Sequence, residues 1–247
     1  MKKSLLSLAV ALAATSLPTV ALADLSFNVG AVSDYRYRGI SQSRLKPALQ
    51  GGVDWSAGGF YLGAWGSTIK WIKDANAAST NKVEIDLYGG YKGEIVKDSL
   101  SYDVGVLNYQ YPGHKAGAAG FASPVTTEIY GALTFGPATL KYSHSVTNLF
   151  GFSDSKNSGY LDLSASFDVG GGVMVAPHVG YQKVSGNSDF SYTDVSVAVS
   201  KDFSGLVPSL TLYYVDTKKI NGGYAYVSPA GKNLGRTGVV LGVKYTF

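Results

Sequence analysis

Apolar and polar residues alternate along most of the chain with a period of two. A clear example is Leu161, Leu163, Ala165, Phe167 and Val169, where every second position carries an apolar or small side chain. Such alternation predicts a β-strand with one face against an apolar medium and the other against water. The same pattern recurs in the segments Leu25–Ala31, Val83–Tyr91, Leu100–Val106, Ile129–Phe135, Leu140–Val146, Val173–Tyr181, Val195–Phe203, Leu210–Tyr214 and Val239–Phe247.

The connections between these segments alternate in length. Two weaker segments, Pro47–Ala57 and Phe60–Ile72, bring the total to about twelve strands. Short links such as Gly58-Gly59 and Gly136-Pro137 are followed by longer polar links such as Pro112–Pro124. Short turns at one end and long loops at the other are typical of bacterial outer-membrane barrels. The sheet of such a barrel is closed because lipid offers no hydrogen-bond partner to an unpaired backbone group. The pattern predicts an all-β fold: a single transmembrane antiparallel up-and-down β-barrel of about twelve strands, or ten if the two weaker segments pair differently.

Residues 1–23 are organised like a secretory signal peptide. Lys2 and Lys3 are followed by the apolar stretch Leu5–Leu17, and Ala21-Leu22-Ala23 forms a cleavage site of small residues. We therefore expect a barrel of residues 24–247 after removal of the leader. An uncleaved anchor helix is the alternative, for which the apolar stretch is short.

The last strand carries a second targeting feature. Its alternate residues Val239, Leu241, Val243, Tyr245 and Phe247 are apolar, and Phe247 ends the sequence. This ending resembles the C-terminal signature by which outer-membrane barrels are handed to their assembly machinery. We predict Val243, Tyr245 and Phe247 as the assembly signal, the cell outer membrane as the location, and outer-membrane lipids and that machinery as partners.

Composition fits this interpretation and excludes several others. Charged residues make up 15% of the 247 residues, against about 25% in a typical soluble domain. No cysteine is present, which excludes a disulfide framework and a thiol nucleophile. The formal net charge is +4, but the longest basic runs are Lys2-Lys3 and Lys218-Lys219. Because nucleic-acid binding needs clustered cations, we do not expect it.

The polar parity of each strand predicts the lining of the lumen, since a charge facing lipid is unfavourable by about 2–4 kcal/mol at mid-depth. We expect Asp34, Arg36 and Arg38, assigned to the first strand, to line a constriction together with Glu84, Asp86 and Glu128. Pairing with carboxylates on neighbouring strands is an equal alternative for the first three. The predicted lumen has eleven acids and six bases, which favours cations modestly. The acids are Asp34, Asp54, Glu84, Asp86, Glu94, Asp103, Glu128, Asp162, Asp168, Asp194 and Asp202; the bases are Arg36, Arg38, Lys70, Lys92, Lys141 and Lys244.

Two functions are compatible with such a barrel. One is a porin-like channel for passive diffusion of small solutes. The other is a non-conducting scaffold or surface receptor whose lumen is filled by salt bridges. Barrels of about eight strands are filled by side chains and those of 16–18 strands leave a wide channel. Twelve lies between, so strand number alone leaves both open.

The residue pattern gives no support to an enzyme. Barrel lipases and deacylases carry a serine and a histidine two residues apart on one strand face, and none of His114, His144 and His178 is so placed. Glu84 and Asp86 share a face, but two carboxylates are few for a calcium ion. We therefore predict no catalytic residue, no metal site and no cofactor. A soluble secreted barrel would show the reverse parity, with charge outside.

Several segments are similar to a known family. They include NVGAVSDYRYRGISQS (Asn28–Ser43), EIDLYGGYKGE (Glu84–Glu94), YDVGVLNYQYPG (Tyr102–Gly113) and TEIYGALTFGPATLKYSHSV (Thr127–Val146). Together with STIKW (Ser67–Trp71) and GYLDLSASFDVGGG (Gly159–Gly172), they resemble the TorF family of porin-like proteins over essentially the whole predicted mature chain. The similarity is looser from Ser185 to Leu234. The resemblance implies a porin-like outer-membrane barrel and brings no substrate or catalytic residue with it.

Overall fold

The computed structural model describes residues 23–115 and 122–247, so most of the predicted signal peptide, residues 1–22, lies outside it. Twelve antiparallel strands form one closed barrel, which confirms the predicted all-β fold and strand number. The strands are β1 Asp24–Val32, β2 Ala48–Ala57, β3 Phe60–Thr68, β4 Val83–Val96, β5 Leu100–Gln110, β6 Thr126–Phe135, β7 Ala138–Ser145, β8 Gly159–Ala165 with its continuation Phe167–Asp168, β9 Val173–Lys183, β10 Tyr192–Lys201, β11 Leu206–Asp216 and β12 Gly238–Thr246.

Each strand pairs with its neighbours in sequence, and β1 pairs with β12 to close the barrel. At this seam Asn28 lies opposite Thr246 and Val32 opposite Gly242. The pairing extends to Phe247. Its backbone N–H donates to the carbonyl of Phe27 at 3.0 Å, and its carbonyl accepts from the backbone N–H of Phe27 at 2.9 Å. Phe247 is thus part of the closure.

The two ends of the barrel differ in their connections. The start of β1, the end of β12 and five short turns lie at one end, which we call the inner end. The turns are residues 58–59, 97–99, 136–137, 169–172 and 202–205. Six longer loops lie at the outer end: L1 33–47, L2 69–82, L3 with the described residues 111–115 and 122–125, L4 146–158, L5 184–191 and L6 217–237. L2 contains the short helix α1 (Trp71–Ala75) and L5 the 3-10 turn Ser188–Phe190. Short two-residue strands lie in L1 (Arg36–Tyr37 and Ile40–Ser41) and in L6 (Lys219–Ile220 and Gly223–Tyr224).

The outside of the barrel is apolar. Side chains on the predicted apolar parity are exposed all round, for example Leu49 at 67% and Phe135 at 66%. Tyr142, Tyr181 and Tyr214 lie exposed near the outer ends of their strands, where aromatic rings of membrane barrels meet the lipid headgroups. A closed barrel with no free strand edge and an apolar exterior is built for a lipid environment.

Within residues 23–115 and 122–247, no helix is long and apolar enough to cross a membrane.

Candidate functional site: the lumen and the loop that fills its outer half

L1 folds back into the barrel as a small hairpin. Arg36–Tyr37 pairs with Ile40–Ser41 around the two-residue turn Arg38-Gly39, where φ is +46° and +78°. Positive φ at both central residues is the signature of the tight turn that best suits a two-residue hairpin. A Cβ at position 39 would lie 2.6 Å from Cγ2 of Val215 and 2.9 Å from Cβ of Asp194. Only glycine fits, because the turn is pressed against β10 and β11.

Asp34 stabilises the base of this hairpin. Its Oδ1 accepts hydrogen bonds from Oγ of Ser41 at 2.5 Å and Oγ of Ser43 at 3.2 Å, while its Oδ2 accepts from Nε of Arg36 at 2.8 Å. The Arg36 guanidinium also donates to the carbonyl of Arg236 in L6 at 2.6 Å. The strongest contacts of Arg36 are therefore to loop atoms, within L1 and to L6.

Arg38, at the tip of the hairpin, contacts the barrel wall instead. Its two terminal nitrogens donate to the two carboxylate oxygens of Glu128 on β6, at 3.0 and 2.7 Å. The same guanidinium donates to Oε1 of Gln182 on β9 at 2.7 Å. It also lies 4.2 Å from the ring centroid of Tyr160 on β8 and 4.8 Å from that of Tyr37. Paired, two-pronged contacts of this kind are the strongest that an arginine makes with a carboxylate.

Two tyrosines of L1 extend these contacts to the other side of the barrel. Tyr35 donates its hydroxyl to Oε1 of Glu84 on β4 at 2.6 Å and packs edge-on against Trp65 of β3, with ring centroids 5.4 Å apart. The hydroxyl of Tyr37 bonds to that of Tyr109 on β5. Tyr109 in turn donates to Glu128 at 3.2 Å. L1 therefore contacts the wall on opposite sides of the lumen.

Apolar packing also holds the inward-folded part of L1, which we call the plug. Ile40 of L1 packs with Tyr192 and Val215 of the wall and with Leu234 of L6. Tyr35 belongs to a second buried cluster with residues of β2, β5, L2 and L3. Its other buried members are Ala48, Ile69, Ile72, Tyr109 and Tyr111.

An exposed ion pair ties L1 to L2 at the rim. The guanidinium of Arg44 donates from Nε to Asp74 at 2.8 Å. These hydrogen bonds from Arg44 to Asp74 raise the pKa of the guanidinium. The pair is at the surface, where such contacts contribute little to stability.

One buried carboxylate on the wall lacks a full set of partners. Asp86 faces inward on β4 and is 8% exposed, yet its Oδ1 has no hydrogen-bond partner in the described part of the chain. It lies opposite Tyr109 in the β4–β5 register. Glu84, Asp86 and Glu128 are thus all buried on the inward face, and Arg38 is the base paired with this group.

The inner half of the lumen is different in kind. Tyr61 donates to Oδ1 of Asp103 at 2.5 Å and also bonds to the hydroxyl of Tyr130. The Lys141 ammonium lies 3.8 Å from the Tyr130 ring centroid. These side chains are half-exposed rather than buried. Further inward-facing polar side chains of this half, also half-exposed, include Asp54, Tyr88, Lys92, Asp162 and Lys244.

His178 lies at the boundary of the two halves, on β9. Its Nε2 is 2.5 Å from Oδ2 of Asp162 and its Nδ1 is 3.6 Å from Oδ1 of Asp194. The serines opposite it on the neighbouring strands are Ser164 and Ser196. Both ring nitrogens thus face carboxylates, and Asp162, His178 and Asp194 form a charge network across β8, β9 and β10.

Among the described residues, no three histidine, aspartate or glutamate side chains converge in a way that could hold a metal ion.

The predicted lumen residues fall into three groups. Glu84, Asp86 and Glu128 face inward on strands, on the predicted parity. Asp34, Arg36 and Arg38 also lie inside the barrel, but their assignment to the first strand is wrong. β1 ends at Val32, and these residues reach the lumen through L1. Asp34, Arg36 and Arg38 are spaced two apart, like the inward-facing residues of β1. The short hairpin strand Arg36–Tyr37 has the same alternation as a longer strand, so spacing alone does not tell the two apart.

Two further lumen assignments are corrected. Asp202 lies at an inner-end turn, where its carboxylate accepts from the backbone N–H of Gly205. Asp168, by contrast, is still paired, opposite Met174, at the inner end of the β8 continuation. Lys70 is exposed in L2, next to α1. Charged residues close to turns follow the strand parity by chance, since the ladder that fixes side-chain direction has already ended there.

Tyr160 and Gln182 were missed by the sequence analysis. Both are buried on the inward face and contact Arg38. Their parity indicates the inward direction, but only the position of L1 shows that they form a site. The predicted assembly residues Val243, Tyr245 and Phe247 are exposed on the outward face, and the Phe247 ring stacks on Phe27 at 5.9 Å between centroids.

A closed twelve-stranded barrel with an apolar exterior, a half-exposed polar inner lumen and an inward-folded loop has the porin-like fold of transmembrane β-barrels. Residues 18–247 match the model of a family described as "Bacterial protein of unknown function (Gcw_chp)", and the chain belongs to this family. No curated protein matches the chain in sequence.

Two solved structures share the fold. The KdgM porin in complex with disordered oligogalacturonate has 10% sequence identity and a TM-score of 0.56, over 92% of this chain and 99% of that one. The NanC porin has 12% identity and a TM-score of 0.53, over 91% of this chain and 99% of that one. At these identities the likeness concerns the fold alone.

Proposed function

We propose that this protein is an outer-membrane channel for passive diffusion of small solutes, with a modest preference for cations. The observation that carries the proposal is the inner half of the lumen, where tyrosines and charged residues on the inward face are half-exposed. A barrel that served only as a scaffold would gain nothing from keeping such a chamber accessible to water. The porin fold and the resemblance to the TorF family support the same conclusion.

An excess of acidic over basic side chains supports the cation preference. Without Asp202 and Lys70, the predicted lumen keeps ten acids of eleven and five bases of six. Acids still exceed bases, and rings of acidic side chains favour cations in a pore.

The second candidate, a non-conducting barrel, has one observation in its favour. L1 fills the outer half of the lumen and buries Tyr35, Ile40, Tyr109 and Glu128 to 7% exposure or less. In this alternative the plug never moves, and the loops at the outer end serve as a scaffold or receptor surface.

Single-channel recordings in planar bilayers distinguish the two candidates. The wild type is compared with a variant in which residues 36–41 are replaced by a short Gly-Ser linker. We expect currents from both, several-fold larger in the variant, and a reversal potential in a salt gradient that indicates cation preference. Silence of both proteins would overturn the channel, and currents from the variant alone would favour the closed barrel. An anion-preferring reversal potential would overturn the predicted selectivity.

Location and partners follow from the same proposal. The exposed apolar belt would contact outer-membrane lipids, and the Val243, Tyr245 and Phe247 face would be presented to the barrel-assembly machinery. L1 to L6 would then face the outside of the cell, and the short turns would face the periplasm.

A further inference from the structure

We infer that the barrel wall carries a binding site for a small organic cation of the guanidinium class, and that Arg38 of L1 occupies this site as an internal ligand. The inference rests on the proposed channel function, because a solute in the lumen would compete with L1 for the same wall residues.

The wall supplies all the components of a guanidinium site except the cation. Glu128, 1% exposed, presents two carboxylate oxygens that each accept one N–H of the ligand. Gln182 adds a third acceptor at 2.7 Å, and the Tyr160 ring covers the flat face of the cation at 4.2 Å. A planar cation with several N–H groups matches this set, whereas an ammonium ion, a point charge, uses only part of it.

These three groups are held in place by the sheet and not by L1. Glu128, Gln182 and Tyr160 belong to β6, β9 and β8, and each of these strands pairs with both of its neighbours. Tyr160 is further fixed by the hydrogen bond from its hydroxyl to Oδ2 of Asp194 at 2.9 Å. If L1 moves, the wall half of the site keeps its geometry.

Arg36 shows what a purely structural arginine looks like in the same hairpin. Its hydrogen bonds run to Asp34, to the carbonyl of Gly39 and to the carbonyl of Arg236, all of them loop atoms. Its guanidinium also lies 5.3 Å from the ring centroid of Tyr213 on β11. Removing Arg36 therefore leaves an aromatic ring on the strands, without the carboxylate and amide acceptors that Arg38 meets. Two arginines, two residues apart, thus make a matched pair for experiment.

The unpartnered Oδ1 of Asp86 is an independent sign that this region is suited to a cation. Asp86 lies opposite Tyr109, whose hydroxyl donates to Glu128 at 3.2 Å. Of the three buried carboxylates there, Glu84 accepts from Tyr35 and Glu128 pairs with Arg38. The three carboxylates thus offer more hydrogen-bond acceptors and more negative charge than the side chains of L1 match. A buried carboxylate oxygen without a partner is unfavourable.

The test measures binding without relying on current. Arg38→Ala protein, extracted from outer membranes in detergent, is heated with increasing methylguanidinium at constant ionic strength, and its unfolding midpoint is recorded. A ligand that binds only the folded state raises the midpoint with concentration. We expect this rise in Arg38→Ala, little rise in wild type and in Arg36→Ala, and none with urea, which has a similar shape but no charge.

A double variant locates the site. Adding Glu128→Gln to Arg38→Ala removes the carboxylate, and we expect the concentration of methylguanidinium needed for a given rise to increase by more than about tenfold. A response of Arg38→Ala equal to that of Arg36→Ala, or unchanged in the double variant, would overturn the site.

Loss of folding in Arg38→Ala is covered by a second measurement. The protein is unfolded and refolded with and without methylguanidinium, and the folded fraction is read from the heat-dependent shift on a gel. A several-fold higher folded fraction with methylguanidinium supports the site, and no change contradicts it. A barrel that binds methylguanidinium but passes no current would overturn the proposed channel and keep the binding site. A barrel that passes current but does not bind methylguanidinium would overturn the binding site and keep the channel.

Discussion

The outer and inner halves of the lumen are made by the same twelve strands and follow the same alternation, yet one is packed and the other is wet. In the outer half Glu84 and Glu128 are buried and bonded to L1, while in the inner half Asp103 and Lys141 are half-exposed. The strands determine which side chains face inward. Whether those side chains meet water is decided by a loop.

The energetic consequences differ as well. A buried charge must keep its partner, because removing one member of a buried pair leaves the other without compensation. A half-exposed charge is solvated, so its pairs contribute little. Equivalent substitutions in the two halves should therefore have unequal effects.

Replacing Glu128 by Gln should destabilise the protein most, because Arg38 would remain buried without its counter-charge. We expect a loss of about 3–5 kcal/mol in the free energy of unfolding, measured by urea titration in detergent. The matched change Asp103→Asn removes a carboxylate from the inner half, where it accepts from Tyr61. That variant should lose less than about 1 kcal/mol, and equal losses in the two variants would contradict the comparison.

Replacing Gly39 by Ala should have the next largest effect. The new Cβ would clash with Val215 and Asp194 and would also sit at positive φ. We expect a loss of about 1–3 kcal/mol from the forced shift of the hairpin, with a larger current. Gly136, at an inner-end turn, has a φ of +55° and open space around it. Gly136→Ala carries the backbone strain alone, about 1 kcal/mol; if it matched Gly39→Ala in both readouts, the contact of the turn with the wall would be unimportant.

Replacing Lys141 by Ala should change selectivity more than stability. Its ammonium lies over the Tyr130 ring in the half-exposed inner lumen, so we expect a stability loss under about 1 kcal/mol. Removing this positive charge from the lumen should shift the reversal potential in a salt gradient towards stronger cation preference. Lys183→Ala, which removes an exposed outward-facing lysine, is the control and should leave the reversal potential unchanged. A shift in neither variant would place Lys141 outside the conduction path.

Much of the candidate site could be located from the sequence, but its connections could not. Glu84, Asp86 and Glu128 lie on the face that alternation predicts, because strand parity is fixed by the backbone. Arg38 lies inside the barrel as the turn residue of L1, whereas alternation predicts it as part of a continuing strand. Tyr160 and Gln182 gave no signal, since their role depends on a contact with residue 38 that spans more than a hundred positions of sequence.

The barrel can be read from the amino-acid sequence. Alternation along each strand, short and long links in turn, and an apolar last strand ending at Phe247 follow from local rules that each segment obeys independently. What fills the barrel, in contrast, depends on how distant segments pack. The direction in which L1 folds depends on a turn at Arg38-Gly39 and on hydrogen-bond partners that β4, β5, β6 and β9 bring together. Such long-range complementarity leaves no periodic trace in the chain, because it depends on the closed sheet as a whole.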